Sequence, residues 1–505
     1  MHTFVDPLDR ALRTASDQTA VVCGDRRWTY REHGQRIRRL IGGLGELGLE
    51  RGDRVAILAP NSDAYLELYT GAPAGGYAIV PMNTRHAQPE LEYALADSGA
   101  RVLFTDRDPG SLGDIVDRVI PLGAGPLGDG YEELLAGAPE GELDRTSTPD
   151  TIAGLFYTGG TTGASKGVIL SHGNLIANAW HMLVAAQLAP DDIYLVQAPL
   201  FHAAGSLAVL ASVWLGSVQV VAPAFDPGEV LDLIEREGVT ATLGVPTMVA
   251  ALAETNAAAP RDTSKLRMLM YGGSPSTTEV LRRAHEQFPN AELVHLYGAT
   301  ETAPLVTTLR RHETKLDGSL GTSAGQPVVG VECVVRDELD VEVEPGHVGR
   351  VTVRGPNIMA GYWNKPEQTA EVLRDGWYDT GDLGYVDENA NLFLVDRAKD
   401  MIVSGGENVY STEVEEALYR HPMVLEATVF GIPNEAWGEA VHAVVVPRAE
   451  VSPEELIEHC RALIAGYKVP RSVELRAEEL PKSGPGKVLK RELRAPYWEG
   501  SDRRI

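Results

Sequence analysis

Strands and helices alternate early in the chain, and this alternation constrains the fold more than any other feature. Residues 54–60 and 77–83 are apolar runs of strand length. A helical segment at 88–100 follows the second run and precedes a third apolar run at 101–106. Apolar strands separated by helices of this length are typical of a parallel, doubly wound sheet. The pattern recurs at 218–249, so the sequence predicts two doubly wound α/β subdomains.

The pattern changes after residue 330. Short alternating segments between 331 and 397 indicate a β-rich subdomain, and helices and strands after 397 indicate a compact α+β unit. A charged junction, 396–400, separates two apolar runs. The predicted class is therefore α/β. An N-terminal domain over 1–396 contains two doubly wound subdomains and the β-rich subdomain, and a small α+β C-terminal domain spans 397–505.

Composition excludes several classes of protein. The 505 residues include 71 acidic and 45 basic side chains, and a net charge of −26 argues against coating nucleic acid or an anionic membrane. Three cysteines without CxxC spacing provide neither a disulfide framework nor a thiolate zinc site. The N-terminus lacks an apolar leader, and prolines and glycines interrupt the uncharged stretch 193–225. We predict a cytoplasmic protein without a membrane span.

A segment rich in glycine and hydroxyl groups follows an apolar strand and ends at a lysine. Glycine lets backbone N–H groups approach an anion, hydroxyls add donors, and lysine adds a positive charge. The candidate phosphate-binding residues are Thr158, Gly159, Gly160, Thr161, Thr162, Gly163 and Lys166. Gly167 follows the lysine, so the segment is not a Walker A loop. It predicts ATP-type binding, with a surface linker as the alternative.

A second candidate segment, 295–303, ends an apolar strand with an aromatic ring, a hydroxyl and a carboxylate. Tyr297 can stack on a base and Thr300 can contact phosphate. Glu301 can bind Mg²⁺, which prefers carboxylate oxygen. The alternative is an ordinary exit from a strand into a loop.

Two further segments lie near the C-terminus. Segment 377–386 is predicted to place Asp382 in a glycine-flanked turn, where it can accept hydrogen bonds from ribose hydroxyls; an Asx turn is the alternative. Lys487 lies on a Gly/Pro loop within 481–492, from which one lysine can enter or leave a site. A solvated basic tail is the alternative.

Taken together, these motifs resemble those of the adenylate-forming superfamily of acyl-CoA synthetases, peptide-synthetase adenylation domains and luciferases. Their order and spacing match over about residues 20–495. The resemblance implies that a carboxylate attacks the α-phosphate of ATP·Mg²⁺, giving acyl-AMP and pyrophosphate. A thiol, usually that of CoA, then attacks the acyl carbon and releases AMP.

The resemblance also implies roles for single residues. The glycine-rich loop would hold the β- and γ-phosphates. The other nucleotide-binding residues would be Gly272, Gly273, Ser274, Tyr297 and Gly298 at the adenine, Thr300 at a phosphate, and Asp382 and Arg397 at the ribose. Glu301 would bind Mg²⁺, and Lys487 would bridge the substrate carboxylate and the α-phosphate during adenylation.

A mobile C-terminal domain is a further implication of the resemblance. It would swing about residues 396–397, exchanging the face with Lys487 for a face with the loop 404–408. Gly405 and Gly406 of that loop would line the tunnel for the pantetheine arm of CoA, because glycine permits close approach. An ordinary turn between strand and helix is the alternative.

Segment 199–205 looks like the acyl-CoA synthetase version of the region near the substrate carboxylate, with His202 beside that carboxylate. A core histidine with a satisfied ring is the alternative.

No acidic residue occurs in 193–225, which disfavours an amino-acid substrate. No arginine occurs in the candidate lining segments, which are 202–206, 244–249, 271–276 and 297–305. A hydrophobic monocarboxylic acid (fatty, aromatic or polycyclic) is therefore predicted over a dicarboxylate.

Four residues in the ATP and catalytic loops depart from the common family pattern, which leaves open a weak half-reaction. They are Gly159 for serine, Ser165 for proline, Ala299 for methionine and Pro485 for serine or threonine. The alternatives are a ligase that loads a carrier protein, an enzyme that performs mainly one half-reaction, a luciferase-like oxygenase, and a non-catalytic acyl- or nucleotide-binding protein. The sequence does not fix the oligomeric state.

Overall fold

The computed structural model describes residues 2–123, 128–158, 165–274, 276, 278–310, 323–398, 400–404, 407–434, 437–482 and 488–498. The chain divides into two compact units. Unit 1 comprises Met1–Glu332 and Val353–Tyr378, and unit 2 comprises Cys333–Thr352 and Asp379–Ile505. The boundary predicted at 396–397 lies inside unit 2, and its role as a hinge stays a prediction. Within the described ranges, no helix has the length and apolarity needed to cross a membrane.

Helices of seven to seventeen residues occur along the whole chain. They are α1 (Val5–Thr14), α2 (Tyr30–Glu46), α3 (Asp63–Ala74), α4 (Gln88–Ser98), α5 (Gly130–Gly137), α6 (His172–Ala185), α7 (Val209–Leu215), α8 (Pro227–Glu237), α9 (Pro246–Ala258), α10 (Thr278–Gln287), α11 (Pro366–Val372), α12 (Ser411–Tyr419), α13 (Pro453–Leu463) and α14 (Lys490–Trp498). Short 3₁₀ helices span Gly110–Asp114 and Thr300–Thr302.

The strands are mostly short. In chain order they are β1 (Thr19–Cys23), β2 (Arg26–Thr29), β3 (Arg54–Leu58), β4 (Ala78–Pro81), β5 (Ala100–Thr105), β6 (Arg118–Pro121), β7 (Ile152–Thr158), β8 (Lys166–Ser171), β9 (Ile193–Val196), β10 (Val218–Val221), β11 (Ala241–Gly244), β12 (Met268–Gly272), β13 (Glu292–Tyr297), β14 (Thr307–Arg310), β15 (Gln326–Pro327), β16 (Glu332–Arg336), β17 (Gly349–Arg354), β18 (Gly361–Tyr362), β19 (Leu373–Arg374), β20 (Trp377–Val386), β21 (Leu392–Arg397), β22 (Ile402–Ser404), β23 (Glu407–Val409), β24 (Val424–Asn434), β25 (Gly438–Pro447) and β26 (Ser472–Leu475).

Unit 1 contains two large sheets. One has seven strands in the order β18-β8-β7-β4-β3-β5-β6, with parallel pairs from β7 to β6. The other has nine strands in the order β15-β14-β13-β12-β11-β9-β10-β1-β2, with parallel pairs from β13 to β1. The prediction of two α/β subdomains is confirmed. Helices connect most of the parallel strands, as a parallel pair requires.

Local sequence sets where these elements begin and end. In α8, the Asp226 side chain accepts a hydrogen bond from the Glu229 N–H (2.9 Å), and Pro227 occupies the first turn. Gly238 ends the helix in the left-handed conformation, with φ +66°. The helix then packs Leu231 and Ile234 into the core of the nine-stranded sheet. This packing fixes the strands whose carboxyl ends carry the predicted nucleotide residues.

Unit 2 includes a sheet in the order β23-β22-β25-β24, with β26 paired to β25. Helices α12 and α13 pack on it, and their shared core contains Leu418, Val429, Val441 and Cys460. The α+β prediction for this region is confirmed. Strands β20 and β21 form an antiparallel pair at the N-terminal side of this part of the chain.

Candidate active site

Two neighbouring parallel strands bring the predicted adenine residues together. Gly272 in β12 is the cross-strand partner of Leu296 in β13, so Gly272–Ser274 and Tyr297–Gly298 leave the sheet side by side. A Cβ at Gly272 would lie 2.1 Å from the Leu296 carbonyl oxygen, which only glycine avoids. Gly273 follows with φ +81°, a left-handed conformation that favours glycine. The two segments therefore form one surface at the carboxyl edge of the sheet.

The loop after β13 is folded tightly back on itself. A Cβ at Gly298 would lie 1.6 Å from the Pro304 carbonyl oxygen. The Thr302 hydroxyl accepts from the Ala299 N–H (3.0 Å) and donates to the Pro304 carbonyl (2.7 Å). The buried Asn357 amide donates to the carbonyls of Thr302 (2.7 Å) and Leu305 (2.8 Å). These bonds fix the short helix that carries Thr300 and Glu301.

The Glu301 side chain accepts a hydrogen bond from Tyr362, whose hydroxyl oxygen lies 2.9 Å from Oε1. The Lys166 ammonium lies 4.7 Å from the centroid of the same tyrosine ring. Burial and the neighbouring Glu301 carboxylate raise the pKa of Tyr362, so its hydroxyl stays protonated and donates. Tyr362 is not among the residues predicted from the sequence, because no spacing or composition signal relates it to a residue sixty-one positions earlier.

The donor set at Glu301 fits magnesium bound together with phosphates. Among the described residues, no group of three or more His, Cys, Asp and Glu side chains could hold a metal ion. Magnesium in phosphoryl-transfer sites is commonly bound by one or two carboxylates, substrate phosphates and water, so a single carboxylate beside a phosphate loop suffices. Glu301 would provide that carboxylate.

Both ends of the glycine-rich segment are held in the sheet. Thr158 at the end of β7 and Lys166 at the start of β8 are cross-strand partners. Gly159, Gly160, Thr161, Thr162 and Gly163 lie outside the described residues. Their predicted contact with phosphate therefore stays a prediction.

His202 lies in a constrained loop after β9. The buried Asn61 side chain accepts from the Leu200 N–H (2.8 Å) and donates to the carbonyls of Ala198 (3.0 Å) and Ala222 (3.2 Å). A Cβ at Gly205 would lie 1.9 Å from the Pro199 carbonyl oxygen. The loop is thus anchored on both sides of the histidine.

The His202 imidazole is neutral at physiological pH. Burial lowers its pKa to about 4, and the nearby charges of Arg85 and His86 act in the same direction. Its buried Nε2 has no hydrogen-bond partner within the described ranges, which does not fit the alternative of a satisfied core histidine. The proximity of Arg85 to His202 was not predicted, because Arg85 precedes all four segments predicted to line the acyl pocket.

The structure corrects the prediction of a turn around Asp382. Residues Trp377–Val386 form one strand, and Asp382 pairs directly with Arg397 in β21. Gly381 takes a left-handed φ of +72°, which distorts the strand without ending it. Arg397 Nε lies 3.4 Å from Asp382 Oδ1. The two predicted ribose-binding residues are therefore neighbours.

A partly buried charge network lies next to Arg397. Asp396 accepts hydrogen bonds from the Ser411 N–H (2.6 Å) and hydroxyl (3.1 Å) at the start of α12. Lys490 Nζ donates to the Ser411 hydroxyl (2.6 Å) and lies 2.8 Å from Glu415 Oε1. Burial acts to lower the pKa of Lys490, but Glu415, Asp396 and Asp400 raise it above its ordinary value. This network joins β21 to α12 and α14.

Three predicted residues of unit 2 lie outside the described residues, namely Lys487, Gly405 and Gly406. Their flanks are described: Ser404 and Glu407 are partners in the β22–β23 hairpin, and Lys490 begins α14. The segment 404–408 therefore joins two strands. The alternative of a turn between a strand and a helix is wrong for it.

The chain matches the AMP-binding enzyme family over residues 8–363, and the AMP-binding enzyme C-terminal domain over residues 413–487. The chain belongs to the AMP-binding enzyme family. It is 42% identical over 503 residues to a feruloyl-CoA synthase from an Amycolatopsis species, covering 97% of this chain and 98% of the relative. It is 36% identical over 493 residues to the fatty acid–[acyl-carrier-protein] ligase ScoC of Streptomyces coeruleorubidus, covering 96% and 95%.

Solved structures agree with this membership. The o-succinylbenzoate CoA synthetase of Bacillus subtilis, in complex with its acyl-adenylate intermediate, has a TM-score of 0.89 and 30% identity, covering 100% of this chain and 99% of that one. The resemblance to the acyl-CoA synthetase branch of the adenylate-forming superfamily is confirmed. The chain is an AMP-forming acid–thiol ligase that uses ATP and CoA. The particular acid, the magnesium ion and the residue roles stay predictions.

Proposed function

We propose that this AMP-forming acyl-CoA ligase activates a phenylpropenoic acid, an aromatic acid of the ferulate type. The observation that carries the proposal is the 42% identity to a feruloyl-CoA synthase along almost the whole chain. The neutral His202 and the lack of arginine in the four segments predicted to line the acyl pocket support an aromatic, monocarboxylic substrate. Fatty acids and the aryl dicarboxylate o-succinylbenzoate are the competing substrates, since ligases for them are related at lower identity.

In the proposed first step, a carboxylate oxygen of the acid attacks the α-phosphorus of ATP, and the bond to pyrophosphate breaks. Lys166 and the glycine-rich segment would bind the β- and γ-phosphates. Negative charge grows on the α-phosphate oxygens, so Lys487 placed there stabilises the transition state more than the ground state. Glu301 would hold Mg²⁺, which neutralises phosphate charge when bound.

His202 would position the acid for this attack. A neutral imidazole protonated on Nε2 can donate that hydrogen to one carboxylate oxygen, and Nε2 has no partner among the described residues. A neutral donor orients the carboxylate without reducing its nucleophilicity as much as a full positive charge would. The low pKa keeps the ring in this form at physiological pH.

In the proposed second step, the CoA thiol sulfur attacks the acyl carbon and AMP leaves with the electron pair of the broken C–O bond. Gly405 and Gly406 would line the path of the pantetheine arm. Residues 396–397 would act as the hinge that exchanges this loop for Lys487 between the two steps. The C-terminal domain over 397–505 would then be the moving part.

A carrier-protein thiol is the second candidate acceptor. It is favoured by the 36% identity to a fatty acid–[acyl-carrier-protein] ligase over most of both chains.

We also place the enzyme in the cytoplasm, since Cys23, Cys333 and Cys460 are free thiols in the structure. Fractionation of the native host would test that location.

The test uses purified protein with ATP·Mg²⁺ and equal concentrations of ferulate, p-coumarate, cinnamate, dihydroferulate, o-succinylbenzoate and fatty acids of several lengths. Mass spectrometry follows acyl-AMP and acyl-CoA, with CoA, with a phosphopantetheinylated carrier protein, or with neither. We expect kcat/KM for the phenylpropenoates to exceed that for fatty acids by about 100-fold, the scale that pocket fit provides. A preference for fatty acids or o-succinylbenzoate would overturn the proposed substrate, and carrier-only transfer would overturn the proposed acceptor.

A further inference from the structure

Tyr362 lies between two parts of the candidate site in unit 1. Its short strand β18 pairs with β8, the strand that begins at Lys166. The Trp363 N–H donates to the Gly167 carbonyl (2.7 Å), which extends this attachment. On the other side, the Met359 N–H donates to the Glu301 carbonyl (2.9 Å). Backbone bonds therefore tie one five-residue segment both to the end of the phosphate loop and to Glu301.

The hydroxyl of Tyr362 fixes one oxygen of the Glu301 carboxylate. The bond to Oε1 is 2.9 Å long, and the tyrosine is only 7% exposed, so water competes weakly for it. Within the described ranges, Oε2 has no hydrogen-bond or ion-pair partner. The carboxylate is therefore oriented by one oxygen and retains the other for a ligand.

The ring of Tyr362 contacts the second charged group. Lys166 Nζ lies 4.7 Å from the ring centroid, within the range of a cation–π interaction. Such a contact restricts the flexible lysine side chain without neutralising its charge, as an ion pair with a carboxylate would. The ammonium therefore keeps its full charge for an anion.

We propose that Tyr362 is a positioning residue that holds the Glu301 carboxylate and the Lys166 ammonium in place for one metal–triphosphate ligand. The hydroxyl fixes the orientation of the carboxylate, and the ring face restricts the position of the lysine ammonium. One side chain therefore positions two groups of opposite charge. This inference rests on the proposed roles of Glu301 and Lys166, and it adds a residue that contacts both.

Two substitutions separate the two contacts. Tyr362→Phe keeps the ring beside Lys166 and removes the hydrogen bond to Glu301. Tyr362→Leu removes both. Calorimetry measures ATP binding by each protein twice, once with excess Mg²⁺ and once with EDTA, and needs no turnover.

For Tyr362→Phe we expect binding of Mg²⁺·ATP to weaken about tenfold, the scale of a hydrogen bond to a charged group, while metal-free ATP binds as to wild type. For Tyr362→Leu we expect metal-free ATP to weaken as well, about threefold, because the restraint on Lys166 is lost. Equal effects of Tyr362→Phe with and without magnesium would overturn the role assigned to the hydroxyl. Wild-type binding of metal-free ATP by Tyr362→Leu would overturn the role assigned to the ring.

Tyr131 offers a matched control in the same unit. Its hydroxyl likewise donates to a carboxylate, that of the fully buried Glu67, whose Oε2 lies 2.7 Å away, and its side chain is 1% exposed. Tyr131→Phe should lower thermal stability as much as Tyr362→Phe does, yet leave both ATP affinities unchanged. A magnesium-specific loss in Tyr131→Phe would show a general effect of destabilisation and overturn the inference.

The failure of the inference is distinguishable from failure of the proposed function. If wild-type protein forms no acyl-AMP with the acid panel and binds no Mg²⁺·ATP, the proposed function is wrong and the inference falls with it. If wild type does both and Tyr362→Phe binds Mg²⁺·ATP equally well, the positioning role alone is wrong.

Discussion

Asp382 and Arg397 are cross-strand partners in β20 and β21, and Arg397 Nε lies 3.4 Å from Asp382 Oδ1. Directly opposed residues of an antiparallel pair have close Cβ atoms, so the sheet itself sets the spacing of these two charges. The carboxylate is largely shielded while the guanidinium is 44% exposed. The pair therefore presents a shielded acceptor beside a more exposed donor.

The first prediction concerns this pair. Asp382→Asn keeps the shape of the side chain but removes the charge that would accept from ribose hydroxyls. We expect KM for ATP to rise about tenfold, the scale of one charged hydrogen bond, with a smaller change in kcat. Steady-state kinetics with varied ATP measure it. Glu332→Gln, which changes the exposed pair with Arg354 in the same way, should leave KM within twofold.

The second prediction concerns Lys487. Lys487→Ala should slow adenylation about 100-fold or more, since it removes a preorganised charge from the transition state. Thioester formation from synthetic acyl-AMP and CoA should stay near the wild-type rate. Pyrophosphate release and acyl-CoA formation, followed separately, measure the two steps. Lys482→Ala removes another lysine of segment 481–492, which is paired with Glu426. It should not slow adenylation relative to thioester formation. Near-normal acyl-AMP formation by Lys487→Ala would contradict the assignment.

The third prediction concerns the pH dependence of stability. The pKa of His202 is lowered from 6.5 to about 4 in the folded protein, so the unfolded chain binds more protons between these values. Stability must therefore fall as pH decreases from about 6.5 towards 4. His202→Gln should reduce this loss, measured as the change in melting temperature between pH 7 and pH 5. His172 and His181 act in the same direction, so part of the loss should remain.

A control separates this effect from general acid sensitivity. His285 is exposed on α10, and His285→Gln should leave the slope of melting temperature against pH unchanged. A slope equal to wild type in His202→Gln would show that His202 titrates normally, contrary to its burial.

The fourth prediction concerns Lys490. Lys490→Met leaves Glu415 and Asp396 without their partly buried cation and should cost about 2 kcal/mol in the free energy of unfolding. The pKa of Lys490 is raised in the folded state, so its contribution is complete below the unfolded pKa and is lost as pH rises through the folded one. Urea unfolding at pH 8 and pH 11 measures both effects. Arg420→Met, at an exposed pair with Glu416, should cost less than about 1 kcal/mol.

Much of the fold could be predicted because its signals are local. The run 54–60 contains β3, and the helix predicted over 88–100 is Gln88–Ser98, which ends at Gly99 in the left-handed conformation. The local signal around Asp382 was misleading. The flanking glycines suggested a turn, whereas pairing with β21 keeps the segment extended.

Residues brought close by the fold alone were beyond prediction. Tyr362 reaches the Glu301 carboxylate from β18, a short strand that pairs with β8. Arg85 lies in a loop after β4, and its charge lowers the pKa of His202. Lys490 lies in segment 481–492, for which a solvated basic tail was the alternative, but its charge is compensated by carboxylates from other parts of unit 2. A lysine's spacing in sequence does not reveal such burial.

Because Thr158 and Lys166 are partners across β7 and β8, the chain between them is anchored at both ends by the sheet. Exchange of residues within that connection leaves the anchoring hydrogen bonds in place. Substitutions in that connection can therefore test its predicted contact with phosphate while the pairing of Thr158 with Lys166 is retained. Libraries restricted to 159–164 should yield a high proportion of folded enzymes, a favourable starting point for recruiting new phosphate donors.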